Sequence, residues 1–208
     1  YDIMPSLVGS EMCIRDRQLP TAYGISSIGS RAGLAAFLGR LDAALARGVK
    51  LVQLREPQWP DGAASASLHE ALQQIVKRCR AAGARVLVNS AHPAAWWREA
   101  DGVHLRSADA ARLTARPELP VGALVGVSAH DNAQVVHARE LGADFAVLGP
   151  VLDTPSHPGA PTLGWEGFVE GNRDAGIPVF ALGGQSTQTV SQALRHGAHG
   201  IAGIRGLI

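Results

Sequence analysis

The sequence predicts an α/β fold, a closed (β/α)8 barrel of the TIM type, on three observations. Short apolar runs number eight, at Ala22–Ile25, Leu51–Arg55, Arg85–Asn89, Gly102–Leu105, Leu124–Ser128, Phe145–Leu148, Val179–Leu182 and Gly200–Ile204. Stretches with a helical period separate most of them. A glycine recurs near the start of a run, at Gly48, Gly83, Gly102, Gly122, Gly142, Gly176 and Gly197. A helix commonly closes on a glycine in the left-handed region before the next strand begins. Eight such units suit a closed barrel, whereas an open doubly wound sheet uses roughly five or six strands.

Each element has its own reason. The runs are apolar without alternation, as parallel strands covered on both faces require. Leu34, Phe37, Leu38, Leu41 and Leu45 fall on one helical stripe, and Leu68, Leu72, Ile75, Val76 and Cys79 on another. Val190, Ala193 and Leu194 open a shorter one. Pro93 to Glu99 and Ser107 to Arg116 are weaker helical stretches. Few residues follow the eighth run, so the last helix is expected to be absent or supplied elsewhere. Residues 1–17 carry neither period and lack a signal-peptide pattern. They read as a disordered tail, a translated artefact or the end of an upstream linker, so the barrel domain is taken as 18–208.

The composition excludes several function classes. Lys plus Arg is 19 against 18 Asp plus Glu, a net charge of +1, so no bulk basic field exists for duplex nucleic acid. Aromatic residues are 5%, too few for a single-strand stacking platform. No apolar run approaches the ~20 residues of a membrane span. Cys13 and Cys79 form no Cys-x-x-Cys pair, which argues against a disulfide framework and for a reducing, cytoplasmic setting.

In a barrel the chemistry sits where strands end. Strand two ends Gln53-Leu54-Arg55, and a period of two puts Gln53 and Arg55 on one face. Strand three ends at Asn89, and strand five at Ser128 with His130 just beyond. His130 reads either as a proton carrier near neutral pH or as a side chain that orders its own loop. Gly149 to Leu163 holds four prolines and reads as a binding loop or a stiffened excursion. An isolated Gly183-Gly184 is ordinary turn chemistry. Placed after strand seven, with Gly203 and Ile204 ending strand eight, it points to phosphate held by backbone N–H groups. His92, His137, His196 and His199 lack metal-ligand spacing and are expected on solvated faces or loops, and His104 is expected to be structural.

The phrases VQLRE, LVNS, DGVHL, GVSAH, GADFAVLGPVLDTPSHPG, IPVFALGG and GAHGIAGI occur in that order. Together they resemble the thiamin phosphate synthase and thiazole tautomerase family, across essentially 18–208. A similar barrel follows a Nudix hydrolase in some bacterial proteins, so a fused Nudix domain is one implied partner. A homo-oligomer stays open. The resemblance implies that hydroxymethylpyrimidine diphosphate is joined to thiazole phosphate with loss of pyrophosphate, aided by Mg²⁺. It implies pyrimidine and pyrophosphate contacts at Gln53 and Arg55, a pyrimidine contact at Asn89 and a pyrophosphate contact at Ser128. It further implies loop hydroxyls at Thr154 and Ser156, a phosphate cradle at Gly184 and Ile204, and an acid/base at His130. Asp109 is the Mg²⁺ ligand it retains.

The sequence also departs from that pattern. Ser90 stands where the family has an aspartate ligand, and Pro57 and His157 stand where it has lysines. The pyrophosphate and Mg²⁺ site is therefore expected to be degraded. Two alternatives follow: a thiazole phosphate tautomerase using His130, or a non-catalytic phosphate-binding module serving a fused hydrolase.

Overall fold

The computed structural model describes residues 19–154 and 161–208. The tail 1–17 and the loop residues Ser156 and His157 lie outside the described residues. Eight strands close into one parallel barrel in sequential order, so the expected fold is the observed one. The strands are β1 (Ala22–Ile25), β2 (Leu51–Leu54), β3 (Arg85–Asn89), β4 (Gly102–Leu105), β5 (Leu124–Ala129), β6 (Phe145–Leu148), β7 (Val179–Leu182) and β8 (Gly200–Gly203). The ring closes where β1 pairs with β8, in the register Tyr23 to Ala202.

Seven helices follow the first seven strands among the described residues: α1 (Leu34–Ala46), α2 (Ala66–Ala81), α3 (Ala95–Glu99), α4 (Ser107–Ala110), α5 (Asn132–Glu140), α6 (Gly164–Asn172) and α7 (Val190–Arg195). The two long stripes are buried as the period predicts, through Phe37, Leu38, Leu41 and Leu45 on α1 and Leu68, Leu72, Ile75, Val76 and Cys79 on α2. Side chains cap two starts: Ser65 accepts from Leu68 N–H at α2, and Asp131 from Gln134 N–H at α5.

Several expectations need correction. The weak helices are shorter than the pattern suggests, and α4 is a single turn. On α7, Ala193 is buried but Leu194 is exposed, because six residues cannot present a full stripe. All seven recurring glycines have positive φ. Gly102 has a different reason from the rest: it opens β4 itself, and a Cβ there would collide with the Leu124 backbone of β5.

The space inside the barrel is filled, not hollow, in its lower part. Tyr23, Ile25, Leu51, Leu87, Leu124, Phe145, Val147 and Phe180 meet there. Tyr23 and Phe145 pack edge to face at 5.3 Å between ring centres, as do Phe145 and Phe180. This floor sets the height at which polar side chains begin. No helix of the described residues is long and apolar enough to cross a membrane.

Candidate active site at the barrel mouth

A cavity of about 540 Å³ opens at the C-terminal ends of the strands, lined by Arg55, Arg106, Arg205, His130, Thr154 and residues deeper down. Gln53, Asn89, Ser128, Gly183, Gly184, Gly203 and Ile204 also line it. The structure thus brings together every expected site residue it describes except Asp109, which stands beside the cavity. Gln53 and Arg55 share a face as expected but not a depth. Gln53 is buried on the floor and Arg55 is half-exposed at the rim.

The floor is a hydrogen-bond chain whose direction can be worked out. Ala91 N–H donates to Asn89 Oδ1 at 3.0 Å, a donor that cannot be reversed. The Asn89 amide nitrogen therefore faces Gln53 and donates to Oε1 at 2.8 Å. Gln53 Nε2 then donates to the Tyr23 hydroxyl at 3.0 Å. The single Tyr23 proton goes on to His104 Nδ1 at 3.1 Å. His104 Nε2 must carry the ring proton, and donates to Ser128 Oγ at 2.9 Å. Burial pushes the His104 pKa down to about 3, so the ring is neutral, as this chain requires. The Ser128 hydroxyl is left with its own proton to give to a ligand in the cavity. An anion is the natural acceptor.

Charge is distributed unevenly around the rim. Among the described residues three arginines line the cavity and no carboxylate does. Arg55 and Arg205 pair with no carboxylate among the described residues. Arg106 is held by Asp109 in a fork, Nε to Oδ2 at 2.6 Å and Nη2 to Oδ1 at 3.1 Å. Ser90 Oγ donates to the same Oδ2 at 2.6 Å. The Arg106 hydrogen bonds hold the Asp109 carboxyl below its usual range, and Asp109 raises Arg106 in turn.

On the far side, the loops after β7 and β8 offer donors. The backbone N–H groups of Gly184, Gln185, Ile204 and Arg205 meet no acceptor among the described residues. Gly184 has φ +65°, and a Cβ there would lie 2.7 Å from Leu152 Cβ. The glycine pair is thus required by the β6 loop packed behind it as well as by any ligand in front. That loop is tied to β7 by Val151 N–H to Leu182 O at 2.7 Å.

His130 lies at the third side. Its Nδ1 is 2.9 Å from the Gly149 carbonyl, which can only accept, so Nδ1 carries the proton and Nε2 is the free base nitrogen of the neutral ring. Both readings of His130 thus keep support, since the bond also ties the β5 and β6 loops.

Sequence reasoning missed four participants. Tyr23 and His104 complete the floor, and period-two alternation with Ile25 and the β3–β4 register opposite Asn89 could have shown that they point inward. Arg205 follows the strand-eight ending directly. Glu56 is the fourth: it is buried beneath the rim and accepts from Ser26 Oγ, Ile28 N–H and Gly29 N–H, fixing the β1 loop. His92 lies in the loop after β3, one of the two places expected of it, but its burial is a correction. It is 4% exposed rather than solvated, because its Nε2 accepts from Glu56 N–H and its Nδ1 donates to Ala63 O. Burial lowers its pKa.

Comparison with known proteins agrees with this fold. A chain of Myxococcus xanthus named thiamine-phosphate synthase is 38% identical over 156 residues, covering 74% of this chain and 70% of that one. One from Thermus thermophilus, with the same name, is 33% identical over 180 residues, covering 84% and 82%. Among solved structures, thiamine phosphate pyrophosphorylase from Pyrococcus furiosus aligns with a TM-score of 0.66 at 22% identity, over 92% of this chain and 87% of that one. That likeness carries the fold alone, which unrelated enzymes share. The sequence profile of a family described as thiamine monophosphate synthase matches residues 22–207, and the chain belongs to that family.

Proposed function

We propose that the barrel couples hydroxymethylpyrimidine diphosphate to thiazole phosphate and releases pyrophosphate. The observation that carries this reading is a cavity lining of three arginines and, among the described residues, no carboxylate, above a floor of directed amide and hydroxyl groups. The ring of a pyrimidine fits over Asn89 and Gln53, whose spare donors and acceptors can read its nitrogens. Its diphosphate lies toward Arg55, Arg106 and the Ser128 hydroxyl. The methylene C–O bond breaks, and the electron pair leaves with pyrophosphate. Guanidinium groups stabilise the additional negative charge that the diphosphate gains as this bond breaks. The thiazole nitrogen then gives its lone pair to the methylene carbon, forming the C–N bond. The unpaired N–H groups after β7 and β8 hold the thiazole phosphate for that attack.

A second reading, tautomerisation of a thiazole phosphate, is favoured by one observation: the free base nitrogen of His130 in the same cavity. It would take a proton from one ring position and return it at another. An assay with both synthase substrates decides between them. Pyrophosphate release above background supports the synthase. Isomerisation of the thiazole phosphate without it supports the tautomerase. Binding of thiazole phosphate with neither is the result expected of a binding module.

A further inference from the structure

We infer that the anion site at the barrel mouth works without a divalent metal, the Arg106 guanidinium standing where a metal ion would. The inference rests on the pyrophosphate-binding reading proposed above and deepens it.

The family resemblance implies Mg²⁺, and the side chains here do not fit it. Magnesium takes oxygen ligands in a near-octahedral shell, usually one or two carboxylates with phosphates and water. Of the carboxylates near the cavity, Glu56 is buried and tied to the β1 loop by three hydrogen bonds, and Asp109 is the one held against the lining residue Arg106. Both its oxygens accept from Arg106, and Oδ2 accepts from Ser90 as well. Three of its roughly four lone-pair positions are therefore taken. A second carboxylate is missing because residue 90 is serine, whose hydroxyl is a weak metal ligand. Ser90 Oγ also accepts from Arg106 N–H at 3.0 Å, so its own orientation is fixed toward the pair. No group of three His, Cys, Asp or Glu side chains poised for a metal occurs among the described residues.

What the arrangement does supply is a fixed cation. The Asp109 fork uses Nε and Nη2, which leaves Nη1 of the planar guanidinium to meet an anion. Arg106 lines the cavity and its side chain is 51% exposed, so it is positioned without being buried. Arg55 and Arg205 flank the same space. A diphosphate thus meets three guanidinium groups and no competing carboxylate in the lining. The Ser90–Asp109–Arg106 unit turns a carboxylate that could have held a metal into the support of a permanent charge.

Titration calorimetry of the full chain with inorganic pyrophosphate tests this, once in EDTA and once in excess Mg²⁺. We expect binding in EDTA, with an affinity that Mg²⁺ leaves unchanged or lowers, since the metal competes for the same phosphate oxygens. Arg106→Gln should weaken that binding by tenfold or more. Asp109→Asn should leave the insensitivity to Mg²⁺ unchanged, because the carboxylate supports Arg106 and not a metal. The double variant Ser90→Asp with Arg106→Ala should make binding depend on Mg²⁺. An affinity that rises threefold or more with Mg²⁺ in the unaltered chain overturns the inference. So does a response to Mg²⁺ that Asp109→Asn abolishes, or no pyrophosphate binding in EDTA. The synthase reading fails separately: metal-free pyrophosphate binding without turnover sinks it and spares this inference. Mg²⁺-dependent turnover does the reverse.

Discussion

Tyr23 on β1 and His104 on β4 share a hydrogen bond of 3.1 Å across the barrel interior, the phenol donating to His104 Nδ1. That single proton decides which nitrogen of the imidazole faces Ser128. Desolvation of the phenol raises the Tyr23 pKa well above its ordinary value, so the donor stays protonated throughout the working range.

Tyr23→Phe keeps the ring packed against Phe145 and Phe180 but strands Gln53 Nε2 and His104 Nδ1. Stability should fall by about 1–3 kcal/mol, the cost of buried groups left unpaired. His104 then loses the bond that fixes its tautomer, so pyrimidine diphosphate turnover should fall as well. Urea denaturation and steady-state kinetics on the same variant measure the two effects. A variant as stable as the parent would show that the floor is not a connected chain.

Acid should weaken the fold through His104. Its pKa is lowered to about 3 from 6.5 by burial, so the unfolded chain binds a proton that the folded chain refuses. This stability is present above pH 6.5 and is lost as pH falls toward 3, at about 1.4 kcal/mol per pH unit. Lowered His92 acts in the same direction. His104→Gln should flatten the fall between pH 6.5 and 5 by about 2 kcal/mol, read from denaturation midpoints at each pH.

The two sides of the pocket should respond to different substitutions. His130→Ala should lower any tautomerase kcat by roughly 10²–10⁴-fold while leaving thiazole phosphate affinity nearly unchanged. Arg55→Ala should weaken pyrimidine diphosphate and spare thiazole phosphate. Calorimetry of both variants with both ligands separates these effects, and equal weakening of both ligands by Arg55→Ala would contradict the division.

Gly184→Ala forces a side chain onto φ +65° and into contact with Leu152 and the Asp153 carbonyl. A loss of about 1–3 kcal/mol is expected from the backbone conformation and the collision. Thiazole phosphate affinity should drop with it, because the displaced turn carries the N–H groups of Gly184 and Gln185. Thermal denaturation with and without the ligand would register both.

The barrel is legible in the sequence because its signals are local. Each strand is an apolar run and each long helix a stripe, and Leu41 or Ile75 is buried for the reason its spacing gives. The residues at the strand ends are legible too, since Ser128 sits at the end of β5 and Arg55 and His130 just beyond β2 and β5, ends that can be counted. The floor is harder. Tyr23, Gln53, Asn89 and His104 come from four different strands, and their order around the barrel depends on register that no single run encodes. His92 misleads because a polar residue after a strand usually meets water, whereas here Glu56 and Ala63 close over it. Asp109 shows as a carboxylate in the sequence, but its partner Arg106 changes its role, and a pairing of geometry is invisible in composition.

Closure of the ring sets a limit on when the fold can form. Tyr23 of β1 finds Ala202 of β8 only after all seven later strands have been made. During synthesis the outer edge of β1 therefore stays open, with unpaired N–H and C=O groups that invite wrong partners. An arc that has not yet paired β8 with β1 leaves that edge without the partner the closed ring gives it, so shielding the edge should raise the yield of closed barrel.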